Sequence, residues 1–548
     1  MSRLEQLLRS PTCLTILVGL GLVLRAWAYV PATSLWLDEV LLARNIEALS
    51  LGELLTTPLL LDQVAPRGFL LLEKLSVIAF GKNELALRLP PFLCAVAAML
   101  LFRRLAERTL EGLAVPFAVA LFAIGIPFIK YGAEVKQYEG DATATILVLL
   151  LALDLARNDL PTRRLVFAGV AGFVLVWFSQ ASVLVLGGIG AAMTIEWLRA
   201  RDRRLQRVVF ITVPVWAAGC LLAVAAGRQA MAPSTAQFMQ EFWVRGFMPL
   251  PFHPLAALRW LGEQSVSVFT DPTLLSYRWP VAYLAVAIAG FVALWRRRAF
   301  EASMLTAIVI VAVVAAVAQQ YPFRGRLMFY LIPVLLLTIA AGAEWIRHIG
   351  ARMHPAVGYV AMTALLAPPV AAIVATPPPY DIEHQRAVMA FLQQRRQPGD
   401  RIHAFPLARI PLLYYAERYG VHPGDFTTVR CDRDSTRAYV RDVDQFRGVR
   451  RLWLLSAENG AFAAARKTAR SYLSTIGVQR DSLILSSLTR PAVGVELYDL
   501  SDSVRLAAAD AESFPVPAMS TTQRPGCRPF ARESPLDAFI AGGPPPQR

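Results

Sequence analysis

The sequence predicts a polytopic α-helical membrane protein that carries a C-terminal extracytoplasmic α/β domain. Three observations lead there. Hydrophobic residues make up 55% of the 548, charged residues only 17%, and the mean hydropathy is positive, a balance typical of chains dissolved in lipid. Apolar runs of about 20 residues, the length a helix needs to cross hydrocarbon, recur up to Ala375. Thr376-Pro377-Pro378-Pro379 then breaks the pattern, and segments with helix and strand periods follow it. A chain of this length exceeds one ordinary core, so at least two structural units are expected.

The first span runs from Leu14 to Tyr29, with Arg3 and Arg9 before it, which places the N-terminus in the cytoplasm. Ala26-Trp27-Ala28 resembles a signal-peptidase site, but Arg25 within the segment and the later spans favour an uncleaved anchor. Gly68 to Phe80 is apolar but short and is interrupted by Glu73-Lys74, so it reads as an interfacial helix. Further spans are expected at Leu85 to Leu101, Leu113 to Ile129, Ala142 to Ala156, Leu165 to Ser179, Val183 to Leu198 and Val208 to Ala226. After a long loop come Trp279 to Trp295, Ala302 to Ala318, Leu327 to Trp345 and Val357 to Ala375. Together they make about eleven crossings, with boundaries good to a few residues.

The net charge of +15 is explained by this topology. The basic clusters Arg103-Arg104, Arg157 to Arg164, Arg199 to Arg207, Arg296 to Arg298 and Arg347 to Arg352 all fall on the side of the N-terminus, as the positive-inside rule requires. No nucleic-acid partner is called for; the surroundings are membrane lipids. The opposite face collects the loops 31–84, 130–141, 227–278 and 319–326, and an odd number of crossings puts everything after about Thr376 there too.

The domain plan is a transmembrane part over residues 1–376, a soluble part over 377–500 and a poorly ordered tail over 501–548, rich in Ala, Ser, Pro and Arg. In the soluble part, Asp381 to Gln397 reads as an amphipathic helix closed by Pro398-Gly399. Arg401 to Phe405, Arg451 to Leu455 and Val493 to Tyr498 read as strands, with helices near Ile410 to Tyr419 and Ala461 to Ile476. The five cysteines show no metal-ligand spacing. Cys13, Cys94 and Cys220 sit in apolar runs, whereas Cys431 and Cys527 would be free to pair in an oxidising compartment.

The unusual polar residues gather on the outer face. Ser34-Leu35-Trp36-Leu37-Asp38-Glu39-Val40 sets two adjacent carboxylates where the chain leaves the first span, a costly place for charge. Glu134-Val135-Lys136-Gln137-Tyr138-Glu139-Gly140-Asp141 and Tyr321-Pro322-Phe323-Arg324-Gly325-Arg326 occupy two other outer turns. The long loop adds Trp243, Arg245, His253, Arg259, Trp260 and Asp271. A lone loop histidine such as His253 is more often neither ligand nor contact, and no second histidine stands at metal spacing.

The outer Trp-x-Asp-Glu, the stretch Ala65-Pro66-Arg67-Gly68-Phe69-Leu70-Leu71-Leu72 and the following Phe80-Gly81-Lys82-Asn83-Glu84-Leu85-Ala86-Leu87-Arg88-Leu89-Pro90 together resemble the GT-C superfamily of membrane glycosyltransferases. The likeness is to the bacterial protein O-mannosyltransferase and aminoarabinose transferase group, of the glycosyltransferase family 39 kind. It covers residues 1–375 and departs at Ala65-Pro66-Arg67, where many relatives carry a double proline followed by a small or apolar residue. The resemblance implies transfer of a sugar from a polyprenyl-phosphate carrier to a glycan, lipid or protein acceptor on the outer face of a bacterial inner membrane. Asp38 matches the family's catalytic aspartate, which takes the acceptor's proton in an inverting transfer.

Beside it, Glu39 could hold the acceptor, orient Asp38 or raise its pKa; a bland alternative makes Asp38 a helix N-cap. The leaving lipid phosphate calls for fixed cations, for which Lys136, Arg324 and Arg326 are the candidates, with headgroup binding as their competing role. Glu134 and Asp141 are candidate ion-pair partners, and Trp36 and Tyr138 are candidate substrate contacts. No cofactor is predicted; some relatives use a divalent metal and others do not. A secondary transporter would instead show inverted repeats and broken mid-membrane helices, neither of which is evident, and a non-catalytic scaffold would tolerate loss of Asp38.

Overall fold

The computed structural model describes residues 3–428, 436–457, 463–486, 493–517 and 539–545. Cys431 and Cys527 lie outside them, while Cys13, Cys94 and Cys220 are free thiols. The chain divides into two compact units. One contains residues 1–31, 54–58 and 64–379; the other joins residues 32–53 and 59–63 to residues 380–548. The segment bearing Asp38 and Glu39 therefore packs with the C-terminal unit, although 31–84 reads in the sequence as a loop of the membrane part.

The first unit is helical. Among the described residues eight helices are long and apolar enough to cross a membrane, among them Pro11–Tyr29, Glu84–Thr109, Ser182–Ala200, Arg203–Gln229 and Ala356–Ala375. Sequence reading expects about eleven crossings, and the other three expected segments are helical but fall short for separate reasons. Ala114–Ile124 is followed at once by the short helix Ile126–Tyr131, because Pro127 can offer no N–H to a continuing ladder. Tyr138–Arg157 carries Glu139, Asp141 and Asp154. Thr162–Leu175 gives way to turns around Trp177 and Phe178. The expected interfacial helix forms as Arg67–Phe80, whose 14 residues would span only about 21 Å.

Close backbone approach holds these helices together. A Cβ on Gly290 would meet the Thr338 carbonyl oxygen at 1.8 Å, and one on Gly342 the Val286 carbonyl oxygen at 2.0 Å. The helices Pro280–Arg297 and Ile332–Met353 thus touch through reciprocal glycines, the small-residue packing expected in lipid. Arg25, buried in the first span, donates to the carbonyls of Gly21, Ala123 and Phe122 at 2.9, 3.3 and 3.1 Å. Ala123 and Phe122 end the Ala114–Ile124 helix, so the guanidinium satisfies carbonyls that the chain break leaves without a helical partner.

The second unit is built on a five-stranded sheet. Its strands are β1 (Arg401–Ala404), β2 (Phe426–Thr428), β3 (Leu452–Ala457), β4 (Val478–Leu485) and β5 (Val493–Asp499), in the order β2-β1-β3-β5-β4. β1 runs parallel to β2 and β3, and β5 is antiparallel to both β3 and β4. Alternate residues of β3 serve opposite faces. Leu452 and Leu454 pack with Tyr439, Val440, Ala469 and Leu473 of the helices Thr436–Asp444 and Ala463–Ile476. Trp453 meets Phe391 of the Gln385–Arg395 helix at 6.2 Å between ring centres. The Pro406–Tyr415 helix also lies against β3, and the Leu37–Ala48 helix packs on it in turn.

Candidate functional site

The Leu37–Ala48 helix begins directly after Trp36, so Asp38 sits in its first turn and not at the cap position. Glu39 fills the capping role: its carboxylate accepts the Trp36 N–H at 3.2 Å, and the side chain is fully buried. This is half of a capping box, closed from the third helical position. Two further backbone donors of the entry are taken by residues from the C-terminal part of the chain. Tyr415 Oη accepts the Leu35 N–H at 2.8 Å and Glu383 accepts the Leu37 N–H at 3.1 Å. Ser34 donates to Asp381 at 3.3 Å and accepts the Arg386 N–H at 3.0 Å, while Arg386 reaches the Ala32 carbonyl at 2.9 Å. Asn45 pins the 59–63 segment by exchanging bonds with the Leu60 N–H and carbonyl at 2.8 and 3.1 Å. Trp36 is buried. Asp38 is thus carried on a helix start whose flanking backbone groups at Leu35, Trp36 and Leu37 are held by side chains, with an anion at the favourable end of the helix dipole.

The cationic candidates belong to the membrane unit. Arg326 lies 5.6 Å from the Tyr138 ring centre and 5.8 Å from that of Trp243, so both aromatic faces border its guanidinium. Tyr131 meets Tyr138 edge-on at 5.1 Å. Lys130 stands 5.3 Å over the Tyr131 ring and 3.5 Å from Glu134 Oε1. Between Arg324 and Arg326, Gly325 has φ +54°, and a Cβ there would come within 3.3 Å of Asp271 Oδ2 and 3.4 Å of Trp243. Desolvation raises the Asp271 pKa above the ordinary carboxylate value, with Lys130, Arg324 and Arg326 opposing that rise. The Phe323 N–H bonds the Gly246 carbonyl at 2.8 Å, and Trp260 and Gln264 both donate to the Arg245 carbonyl, at 3.2 and 3.1 Å. These bonds moor the long loop to the Arg324-Gly325-Arg326 turn.

The expected residues are therefore partly gathered. Tyr138, Arg324 and Arg326 share one neighbourhood with Lys130, Trp243 and Asp271, and Glu134 joins through Lys130. Asp141 takes a different partner, Ser179 Oγ at 2.6 Å, and Lys136 is buried nearby in sequence. Lys130 was hidden from sequence reading by its place at the end of an apolar run; Trp243 and Asp271 were visible only as two polar or aromatic residues of a long loop. His253 is exposed at the start of the Pro254–Ser267 helix. Among the described residues no group of three or more His, Cys, Asp and Glu side chains is placed to hold a metal ion.

Each unit by itself presents its own chemical setting. A carboxylate on a rigid helix start suits proton abstraction, and a cluster of cations faced with aromatic rings suits a phosphate attached to an apolar or sugar group. No protein-family description matches the chain, and no curated protein does. Solved structures do. The oligosaccharyltransferase of Archaeoglobus fulgidus, crystallised with zinc and sulfate, shares 13% identity over 88% of this chain and 73% of its own, with a TM-score of 0.47. ArnT from Cupriavidus metallidurans in the apo state shares 12% over 88% of this chain and 97% of its own, TM-score 0.45. The same ArnT bound to undecaprenyl phosphate shares 14% over 89% and 98%, TM-score 0.43.

Proposed function

We propose that this chain is an integral-membrane glycosyltransferase of the bacterial inner membrane, moving a sugar from a polyprenyl-phosphate donor to an acceptor on the periplasmic side. The observation that carries the reading is the cluster of Lys130, Arg324 and Arg326 around Asp271, with Tyr138 and Trp243 facing Arg326. Cations held beside aromatic rings offer a phosphate both charge and a flat surface for the attached sugar. Lys136 is retained as a further phosphate ligand, and Trp36, Glu134 and Asp141 as substrate-side residues.

In the proposed reaction Asp38 takes the proton of the acceptor hydroxyl while its oxygen attacks the anomeric carbon. The bond from that carbon to the phosphate oxygen breaks, the configuration inverts, and the lipid phosphate leaves with its added negative charge facing Arg324 and Arg326. Glu39 supports Asp38 by holding the helix start. The N-terminus and the arginine clusters lie in the cytoplasm and the C-terminal unit in the periplasm, following the positive-inside count.

The test is sugar transfer by purified protein supplied with labelled polyprenyl-phosphate sugars and a panel of glycan, lipid and protein acceptors. Wild-type protein is expected to transfer label, and Asp38→Asn to express normally and lose at least about 100-fold in turnover, the usual worth of a general base. Transfer undiminished in Asp38→Asn overturns Asp38 as base. No transfer from any donor overturns the glycosyltransferase reading in favour of a transporter or scaffold.

A further inference from the structure

The Leu37–Ala48 helix is gripped again beyond its first turn, by the far end of the chain. Arg44 is buried and donates from Nε and Nη2 to the Phe539 carbonyl at 2.9 and 2.7 Å. Its guanidinium lies 5.3 Å from the Phe539 ring centre, and Nη2 also approaches the Gly543 carbonyl at 3.5 Å. Nη1 pairs with Glu47 at 2.8 Å, and the other Glu47 oxygen accepts the Tyr414 hydroxyl at 2.8 Å. Phe539 and Ile540 are themselves fully buried. A short segment more than 490 residues away in sequence therefore closes over the same helix that carries Asp38, six residues before Arg44.

We propose that the C-terminal segment Phe539 to Gly543 is a latch, and Arg44 a positioning residue, that together hold the Leu37–Ala48 helix in the setting Asp38 needs for proton transfer. The physical reason is the charge on Arg44. A buried guanidinium must have its donors satisfied, and removing a partner leaves an uncompensated charge whose relief is to move. With the segment gone, and the Phe539 and Gly543 carbonyls with it, only Glu47 would remain of the partners described above, so the helix must shift to bring Arg44 to water. A helix transmits such a shift along its axis, and Asp38 is about 9 Å away at 1.5 Å per residue. Misplacement of a catalytic group by about 1 Å can cost roughly 100-fold in rate.

The proposal rests on the assigned role of Asp38 for its rate arm and not for its structural arm, which allows the two to fail separately. The full chain in lipid nanodiscs is compared with a chain ending at Gln523, with Arg44→Lys and Phe539→Ala, and with a control chain ending at Gly543 that keeps the latch. Hydrogen exchange over residues 37–48 is read without any substrate, and sugar transfer is read in parallel. The latch predicts faster exchange over 37–48 on tail loss and in Phe539→Ala, a smaller rise in Arg44→Lys, and wild-type exchange in the chain ending at Gly543. In transfer it predicts kcat down roughly 10-fold to 100-fold with KM for the lipid donor within about twofold. A synthetic peptide of residues 535–548 added to the chain ending at Gln523 should restore both readouts. Unchanged exchange on tail loss overturns the latch, and so does a fall in transfer without a change in exchange. If the wild-type chain transfers no sugar from any carrier, the function falls while the exchange arm still decides the latch.

Discussion

Asp38 and Glu39 are adjacent carboxylates in different structural settings. Glu39 turns back to the Trp36 N–H, so its oxygen is occupied by the backbone, while Asp38 occupies the position before it in the same turn. A cap of this kind is worth about 1 kcal/mol. Glu39→Gln keeps an acceptor oxygen at the same reach and is expected to retain most transfer and a protected helix start. Glu39→Ala removes the acceptor and is expected to raise amide exchange at residues 37–41 and to lower turnover in proportion. Transfer abolished by Glu39→Gln as fully as by Asp38→Asn would show that the charge of Glu39 is itself required. In the sequence the pair could be singled out, because charge beside a membrane span asks for a reason. The capping direction could not, since Trp is not a capping residue and the Glu39 bond forms only once the chain turns at Ser34 to Trp36.

At the scale of elements, hydropathy marks every long span but fails where a helix is broken or polar at its ends. Leu113 to Ile129 reads as one crossing, yet Pro127 divides it and Arg25 from another helix satisfies the exposed carbonyls. In the sheet, the expected strands appear as β1, β3 and β5, which are mostly buried and central. β2 has three residues and β4 alternates polar and apolar positions at the edge, so neither stands out from loop. The Arg324-Gly325-Arg326 turn was legible only as two charges, whereas its geometry depends on the glycine between them. At φ +54° an alanine costs about 1–2 kcal/mol, and its methyl would press on Asp271 and Trp243. Gly325→Ala is expected to displace the two guanidiniums, raising KM for the lipid donor several-fold while proton transfer at Asp38 keeps its own kcat. Unchanged donor KM in a stably folded Gly325→Ala protein would remove Arg324 and Arg326 from the donor site.

For the molecule as a whole, the grouping of residues 32–53 with 380–548 changes what the C-terminal unit is for. No local pattern announces it: the partners Tyr415, Glu383, Tyr414 and Phe539 are hundreds of residues from the helix they hold, and each is an ordinary residue of its own segment. The consequence is that whatever loosens the C-terminal sheet also loosens the helix bearing Asp38. His403 provides a way to do so. It is buried on β1, with Nδ1 2.8 Å from Thr427 Oγ1 and its ring 5.0 Å from that of Phe446, and desolvation lowers its pKa to about 4. The folded state therefore holds His403 neutral where an unfolded chain would take up a proton near pH 6.5. Its contribution is fully present above that pH, falls as the pH drops from about 6.5 to 4, and then levels, a loss of roughly 3 kcal/mol across the window. Amide protection over β1, β3 and residues 37–48, measured on the full chain and corrected for intrinsic exchange, should decline together through that window. In His403→Gln, which has no proton to gain, the same decline should be flattened for both regions. If protection over 37–48 holds steady while that over β1 and β3 falls, the Asp38 helix does not depend on the sheet it packs with.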